Sequence, residues 1–233
     1  MSTWSKLLAA VRRPRDADAE LARMGRLRDA FEADTDVFLN LTIKLRRADL
    51  HLIGEVVQLY SYADFNARRI VSALEHASTG DPKTVSRLQD WEVLRDLKAL
   101  ARQHLPDGNL RDGILKVHGT LLMHRGHRYD FAHWATRRVK GADALVMFTM
   151  NAKSAEKRAG TPLEAQQSRF GILPLAGFRA EVRKLEGHAI FMAAAAAHID
   201  MHLVELRERI AEHPADEETD EGDRDLYDGA IGS

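Results

Sequence analysis

With 34 Lys and Arg against 35 Asp and Glu in 233 residues, the chain is close to neutral, so no overall field draws it to nucleic acid or to an anionic membrane and any nucleic-acid site must be local. The absence of cysteine excludes a disulfide scaffold, a thiolate zinc site and a cysteine nucleophile, and it suits a reducing compartment, with the cytoplasm as the expectation. The 45% hydrophobic content suits an ordinary globular core, while the longest run free of Asp, Glu, Lys and Arg, the 13 residues Gly187–Ile199, is shorter than the roughly 20 that span a bilayer, so no membrane partner is expected.

At the N-terminus the apolar run Leu7–Val11 is too short for a signal-peptide core and leads into Arg12, Arg13 and Arg15 instead of a cleavage site. Residues 1–15 therefore read as a leader. From Asp16 to Ala33, Leu21, Met24, Leu27 and Phe31 recur at helical spacing behind Asp16 and Asp18, which suit a helix start. Between Val37 and Leu45 the odd-numbered positions are all aliphatic, the period of a short strand.

A long helix is predicted from Asp49 to Ala77, with Ile53, Val56, Tyr60, Ala63, Ala67, Ile70 and Leu74 on one face and Gly80, Asp81 and Pro82 as its stop. The next runs from Val85 to His104, turning Leu88, Trp91, Leu94, Leu97 and Ala101 inward, and ends before Pro106, Asp107 and Gly108. Asn109 suits the cap of a further helix whose seam reads Leu110, Ile114, Val117 and Leu121, then turns polar at His124 and Arg128.

Past His133, Thr136–Lys140 and Asp143–Thr149 flank Gly141 in the pattern of a hairpin. Residues 151–171 read as loop. One continuous helix is expected from Pro174 to Glu212, because Phe178, Val182, Leu185, Ala189, Met192, Ala196, Ile199, Leu203, Leu206 and Ile210 keep a four-three repeat. Its small residues Ala189, Ala193 and Ala196 admit a close neighbour, inside a bundle or across a dimer interface. Beyond Pro214 the chain is acidic and lacks apolar periodicity, so residues 214–233 read as a disordered tail. The predicted class is thus mainly α, a helical bundle with a small β element near residues 37–45 and 136–149, forming one domain over residues 16–213.

The chemistry concentrates in His124-Arg125-Gly126-His127-Arg128-Tyr129-Asp130-Phe131-Ala132-His133-Trp134. From Lys116 to Lys140 there are six Lys or Arg and one acid, Asp130. Arginine presents a planar fork that matches phosphate oxygens, and histidine exchanges a proton near neutral pH. Both functions serve RNA cleavage. The segment Arg128-Tyr129-Asp130-Phe131-Ala132-His133 resembles the Arg-x4-6-His signature of HEPN domains, often written Arg-Asn-x-x-Ala-His at a helix end, and the resemblance spans the helices from about residue 50 to 212.

The resemblance implies a helical bundle and, in active members, a metal-independent endoribonuclease whose site forms where two subunits bring their motifs together. In such a site Arg128 binds and stabilises the scissile phosphate and His133 acts as general acid or base. Asp130 either orients His133 or pairs with Arg128, while Arg125, His127, Arg137, Arg138 and Lys140 supply RNA contacts. Tyr129 departs from the small polar residue common after the arginine. The implied partners are a second copy of the chain, RNA, and an antitoxin or regulatory protein, with no cofactor and no metal.

Other readings stay open. A non-catalytic HEPN-like module that binds RNA or protein carries the same motif. Arg128 and His133 are also what a helix C-terminus favours, since cations there meet free carbonyls and the negative end of the helix dipole. His124 with His127, or His198 with His202, offers paired imidazoles for a metal, but no HExxH pattern accompanies them. Trp134 reads as a core plug before a base-stacking residue.

Overall fold

The computed structural model describes residues 14–33, 40–80, 85–151 and 169–212. The expected leader up to residue 13 and the acidic tail lie outside the described residues, as does most of the expected loop between residues 151 and 171. The helices are α1 (Pro14–Ala33), α2 (Arg47–Thr79), α3 (Asp90–His104), α4 (Asn109–His133), α5 (Leu175–Met201) and α6 (Leu203–Glu212). The strands are β1 (Thr42–Ile43), β2 (Ala135–Val139), β3 (Ala144–Thr149) and β4 (Arg169–Pro174). The protein is mainly helical with a small sheet, as its patterning predicts.

The chain divides into two compact units, one of Met1–Glu55 with Asp130–Arg183 and one of Val56–Tyr129 with Lys184–Ser233. In the first, the strands form a four-stranded antiparallel sheet in the order β1-β2-β3-β4. The hairpin β2–β3 turns at Gly141, whose φ of 71° is costly for any residue with a Cβ. One sheet face gathers Val139, Ala144 and Val146 around Phe31 of α1, with Met24, Leu27, Phe148, Phe170 and Ile172 packed against them. Because successive strand residues alternate, the opposite face carries Leu145, Met147 and Leu173, also buried. A strand buried on both faces reads as a continuous apolar run, which is how Ala144–Phe148 stands out in the chain.

An ion network fixes the start of α2 in this unit. Asp49 accepts a hydrogen bond from the Arg46 backbone N–H through Oδ2 (2.8 Å), as the third residue of a capping box does. Its Oδ1 accepts from Arg138 Nη1 at 2.6 Å. Arg138 Nη2 donates to Asp143 Oδ1 (2.6 Å), and Asp143 Oδ2 takes Arg179 Nη1 at 3.1 Å. Burial disfavours the charge on Asp143, yet the hydrogen bonds from Arg138 and Arg179 outweigh it and hold the carboxyl below its ordinary range.

The second unit is helical in its described residues. Val56, Tyr60, Ala63, Ala67, Ile70 and Leu74 of α2 are buried along the predicted seam, and Leu94, Leu97 and Ala101 of α3 face inward as expected. Ile114, Val117 and Leu121 of α4, and Leu185, Ala189, Met192, Ala196 and Ile199 of α5, complete the core. Gly80, with φ 76°, ends α2 where Gly80-Asp81-Pro82 predicts the stop.

Four expectations change. The strand expected over residues 37–45 is, among the described residues, only Thr42–Ile43, and Asn40 and Leu41 are helical. The helix expected from Val85 opens as a 3-10 turn, Val85–Arg87, and α3 proper begins at Asp90. The loop expected up to Gly171 gives way to β4 from Arg169, an edge strand in which Gly171 and Pro174 weaken the strand pattern but cost little at an edge. The single helix expected over residues 174–212 breaks at His202, where α5 and α6 meet at 71°. Neither Gly nor Pro marks that bend, and the apolar repeat passes through it. No single described helix is long and apolar enough to cross a membrane.

Close approach inside the helical unit yields a test. A Cβ on Gly113 would stand 2.8 Å from Phe191 Cε2, and closer still to Cζ, so the ring must move to admit it. Gly113→Ala is therefore expected to lower the melting temperature. In a Phe191→Ala background it should raise it, because about 1 kcal/mol of helix propensity is gained with nothing displaced. Thermal melts of the four proteins check this, and the same sign in both backgrounds would contradict the packing.

Candidate functional site

The polar stretch of α4 is largely interior. His124 is 1% exposed and His127 is buried, with their rings edge to face at 6.0 Å. Burial, then the charges of His127, His188 and Lys184, pushes His124 down to about 3. His118 is pushed down to about 4, again by burial first and then by Lys98 and Arg102. These imidazoles are neutral at pH 7, and His127, with Nδ1 3.2 Å from the Met123 carbonyl, does not present itself to a nucleic acid.

Arginines on the same helix diverge in role. Arg125 Nε donates to Asp90 Oδ1 at 2.8 Å, tying α4 to the first residue of α3. Asp90 is placed there by the cap of α3, in which the Gln89 backbone N–H donates to Glu92 Oε2 at 2.6 Å. Arg128, three residues on and half-buried, forms no hydrogen bond or ion pair with any described residue. Tyr60 of α2, 3% exposed, has no hydrogen-bond partner for its hydroxyl among the described residues. Burial drives its phenol far above the ordinary range, Asp90 and Asp64 add to the rise, and Arg125 and Arg128 oppose it. Tyr60 is thus a neutral hydroxyl at any physiological pH. Asp64, one turn further along α2, accepts from Arg68 Nε at 2.8 Å, and Arg68 Nη1 reaches the Val85 and Leu88 carbonyls at 2.9 Å each.

The remaining predicted residues belong to the sheet-bearing unit. Asp130 is buried, and His133, the last residue of α4, is exposed. On a helix Asp130 and His133 share a face at a spacing of three, whereas Asp130 and Arg128 point to opposite sides. Phe131 packs on Phe178 at 5.2 Å between ring centroids, and the half-buried Trp134 continues the helical hydrogen bonding with its N–H on the Asp130 carbonyl at 2.7 Å. Arg137 is half-buried and Lys140 exposed. Arg138 is 6% exposed with both of its terminal nitrogens on carboxylates, a geometry that locks the sheet and leaves it facing the interior.

Of the residues marked by the sequence pattern, then, His133 and Lys140 are exposed, Arg128 and Arg137 are half-buried, and Arg125, His127 and Arg138 hold the fold together. Tyr60 is buried as its place on the apolar face of α2 predicts, while the placement of Asp64 and Asp90 near it is not visible in that apolar pattern. For Asp64 the signal is the spacing of four that aligns Tyr60, Asp64 and Arg68 on one side of α2. Among the described residues no group of three or more His, Asp or Glu is placed to hold a metal ion.

The buried imidazoles predict acid lability with a definite sign. Their folded values lie below the unfolded value of about 6.5, so between that pH and about 4 for His118 and about 3 for His124 the unfolded chain binds more protons. Stability is present above that window and falls as pH falls through it. The melting temperature should already drop between pH 7 and 5, before carboxylates titrate, and His118→Asn should flatten the slope. A melting temperature independent of pH over that range would contradict burial of neutral histidines.

Comparison of the chain with protein-family models, with curated proteins and with solved structures returns no match.

Proposed function

We propose that the protein is a HEPN-like, metal-independent endoribonuclease that acts as a dimer. One observation supports this reading above the others. The two residues that carry the Arg-x4-His resemblance both reach solvent on the last turns of α4: Arg128 is half-buried and forms no hydrogen bond or ion pair with a described residue, and His133 is exposed, while their neighbours His124, Arg125, His127 and Arg138 are committed to the interior.

The chemistry follows from those two groups. A ribose 2′-hydroxyl oxygen attacks the adjacent phosphorus, the bond to the 5′ oxygen breaks, and the products are a 2′,3′-cyclic phosphate and a 5′-hydroxyl. Arg128 stabilises the charge that develops on the non-bridging oxygens, and His133 removes the hydroxyl proton or supplies one to the leaving oxygen. Five residues of helix set the two side chains about 140° apart and about 7.5 Å along the axis. One motif therefore does not converge on a single phosphate, and the reading requires two copies whose motifs face each other.

His133→Ala should abolish cleavage of single-stranded RNA and leave the melting temperature and most of the RNA affinity unchanged. Arg128→Ala should lose both turnover and affinity. Cleavage should persist in a chelator, products should carry the cyclic phosphate, and light scattering at micromolar concentration should report twice the 26.2 kDa chain mass. A monomer that binds RNA without cutting it would replace this reading with the non-catalytic module, and Tyr129, 37% exposed between the two motif residues, would be the first position to change. Neither binding nor cleavage by a well-folded dimer would remove the ribonuclease reading.

A further inference from the structure

We infer that Arg125 is a positioning residue and not a phosphate ligand: by neutralising Asp90 it prevents that carboxylate from capturing Arg128, and so keeps Arg128 available to a phosphodiester. The inference rests on the reading of Arg128 as the phosphate-binding residue. The ligand class is a single-stranded RNA backbone.

Two polar strips meet at the start of α3. On α2, Tyr60, Asp64 and Arg68 follow one another at a spacing of four, and Arg68 is anchored to the Val85 and Leu88 carbonyls just before α3. On α4, Arg125 and Arg128 are three apart and share a side. Arg125 reaches Asp90, the first residue of α3. Asp64, Asp90, Arg125 and Arg128 all act on the same Tyr60 hydroxyl, which places Asp90 and Arg128 in one neighbourhood.

Among the described residues of these two strips, each carboxylate already has its arginine at 2.8 Å, Asp64 with Arg68 and Asp90 with Arg125. Arg128, on the same side of α4 as Arg125, holds neither of them. Asp64 is held by an arginine that is itself pinned by two backbone carbonyls, so its pairing is secured independently of α4. Asp90 has no such second anchor in its arginine. If Arg125 loses its charge, Asp90 becomes a part-buried carboxylate that has lost its arginine, and Arg128, three residues on from Arg125 and on the same side of α4, is the cation that can replace it. A phosphate would then compete with a carboxylate for one guanidinium.

The experiment measures binding of a fluorescein-labelled single-stranded oligouridylate to the full chain. Arg128→Gln and Arg125→Gln should each weaken binding by about tenfold or more, the size of one charge-assisted hydrogen bond. Asp90→Asn placed on Arg125→Gln should restore affinity to within about threefold of wild type. A double variant as weak as Arg125→Gln alone would show that Arg125 touches RNA itself, and would overturn the inference while leaving Arg128 as the ligand. Should Arg125→Gln fail to fold, the double variant, which has no orphaned carboxylate, decides by itself: near-wild-type affinity supports the inference and a loss equal to that of Arg128→Gln overturns it. Wild-type affinity in Arg128→Gln would sink the phosphate reading and this inference with it.

Thermal melts read the competition without RNA. Arg128→Gln should scarcely shift the melting temperature of the wild type but should lower that of Arg125→Gln by a few degrees, since only there does Arg128 pair with Asp90. Additive shifts would overturn the competition whatever the RNA does.

Discussion

A carboxylate removed from water must be given a cation or it costs more than the fold gains by burying it, and that constraint arranges much of this molecule. Asp49 caps α2 with one oxygen and takes Arg138 with the other, and Arg138 extends the link to Asp143 at the mouth of the β2–β3 hairpin. Asp64 and Asp90 each hold one arginine in the helical unit. In the sheet-bearing unit the pairing joins elements far apart in the chain, with a separation of 89 residues between Asp49 and Arg138. Removing Arg138 leaves Asp49 as a buried charge without its cation, and removing Asp49 takes away the cap of α2 and one of the two carboxylates on Arg138.

The same constraint explains why local charge in the chain overstates the basic character of the folded surface. Between Lys116 and Lys140 six cations face a single acid, yet Asp90, Asp49 and Asp143 come from other segments to neutralise Arg125 and Arg138. His118 and His124 of that stretch add no charge either, because burial keeps both unprotonated near neutral pH. Of the cations between Lys116 and Lys140, those not held by a carboxylate from another segment are fewer than the local charge suggests, and the proposed phosphate reading falls on Arg128 among them. RNA binding by so few cations, as proposed, would depend on salt more weakly than binding by a broad basic face.

Legibility followed the range of the interactions involved. The helices α2 and α4 and the hairpin at Gly141 depend on periodicity, on local stop residues and on one glycine φ, all visible within a few residues. Their existence and approximate bounds were readable. The edge strand β4 was not, since Phe170-Gly171-Ile172-Leu173-Pro174 becomes a strand through pairing with Ala144–Phe148, a partner more than twenty residues away. The bend at His202 was hidden because the apolar repeat is satisfied on both sides of it and no breaker residue stands there. At the candidate site the motif Arg128 to His133 was legible as a pattern, but the sorting of its neighbours into interior and exposed groups was not. That sorting depends on Asp90 and Asp49, which lie tens of residues away from the arginines they hold.

Arg128 is the arginine of α4 that no described residue pairs with, and nitrogen-detected NMR of the guanidinium groups in the intact protein tests this most directly. The prediction is that Arg125 and Arg138 show slow rotation of their guanidinium planes from the outset, as paired groups do, while Arg128 rotates freely and becomes restricted, with a shifted Nε resonance, only when single-stranded RNA is added. An Arg128 already restricted in the absence of RNA, or one unmoved by its addition while Arg125 shifts, would contradict the account.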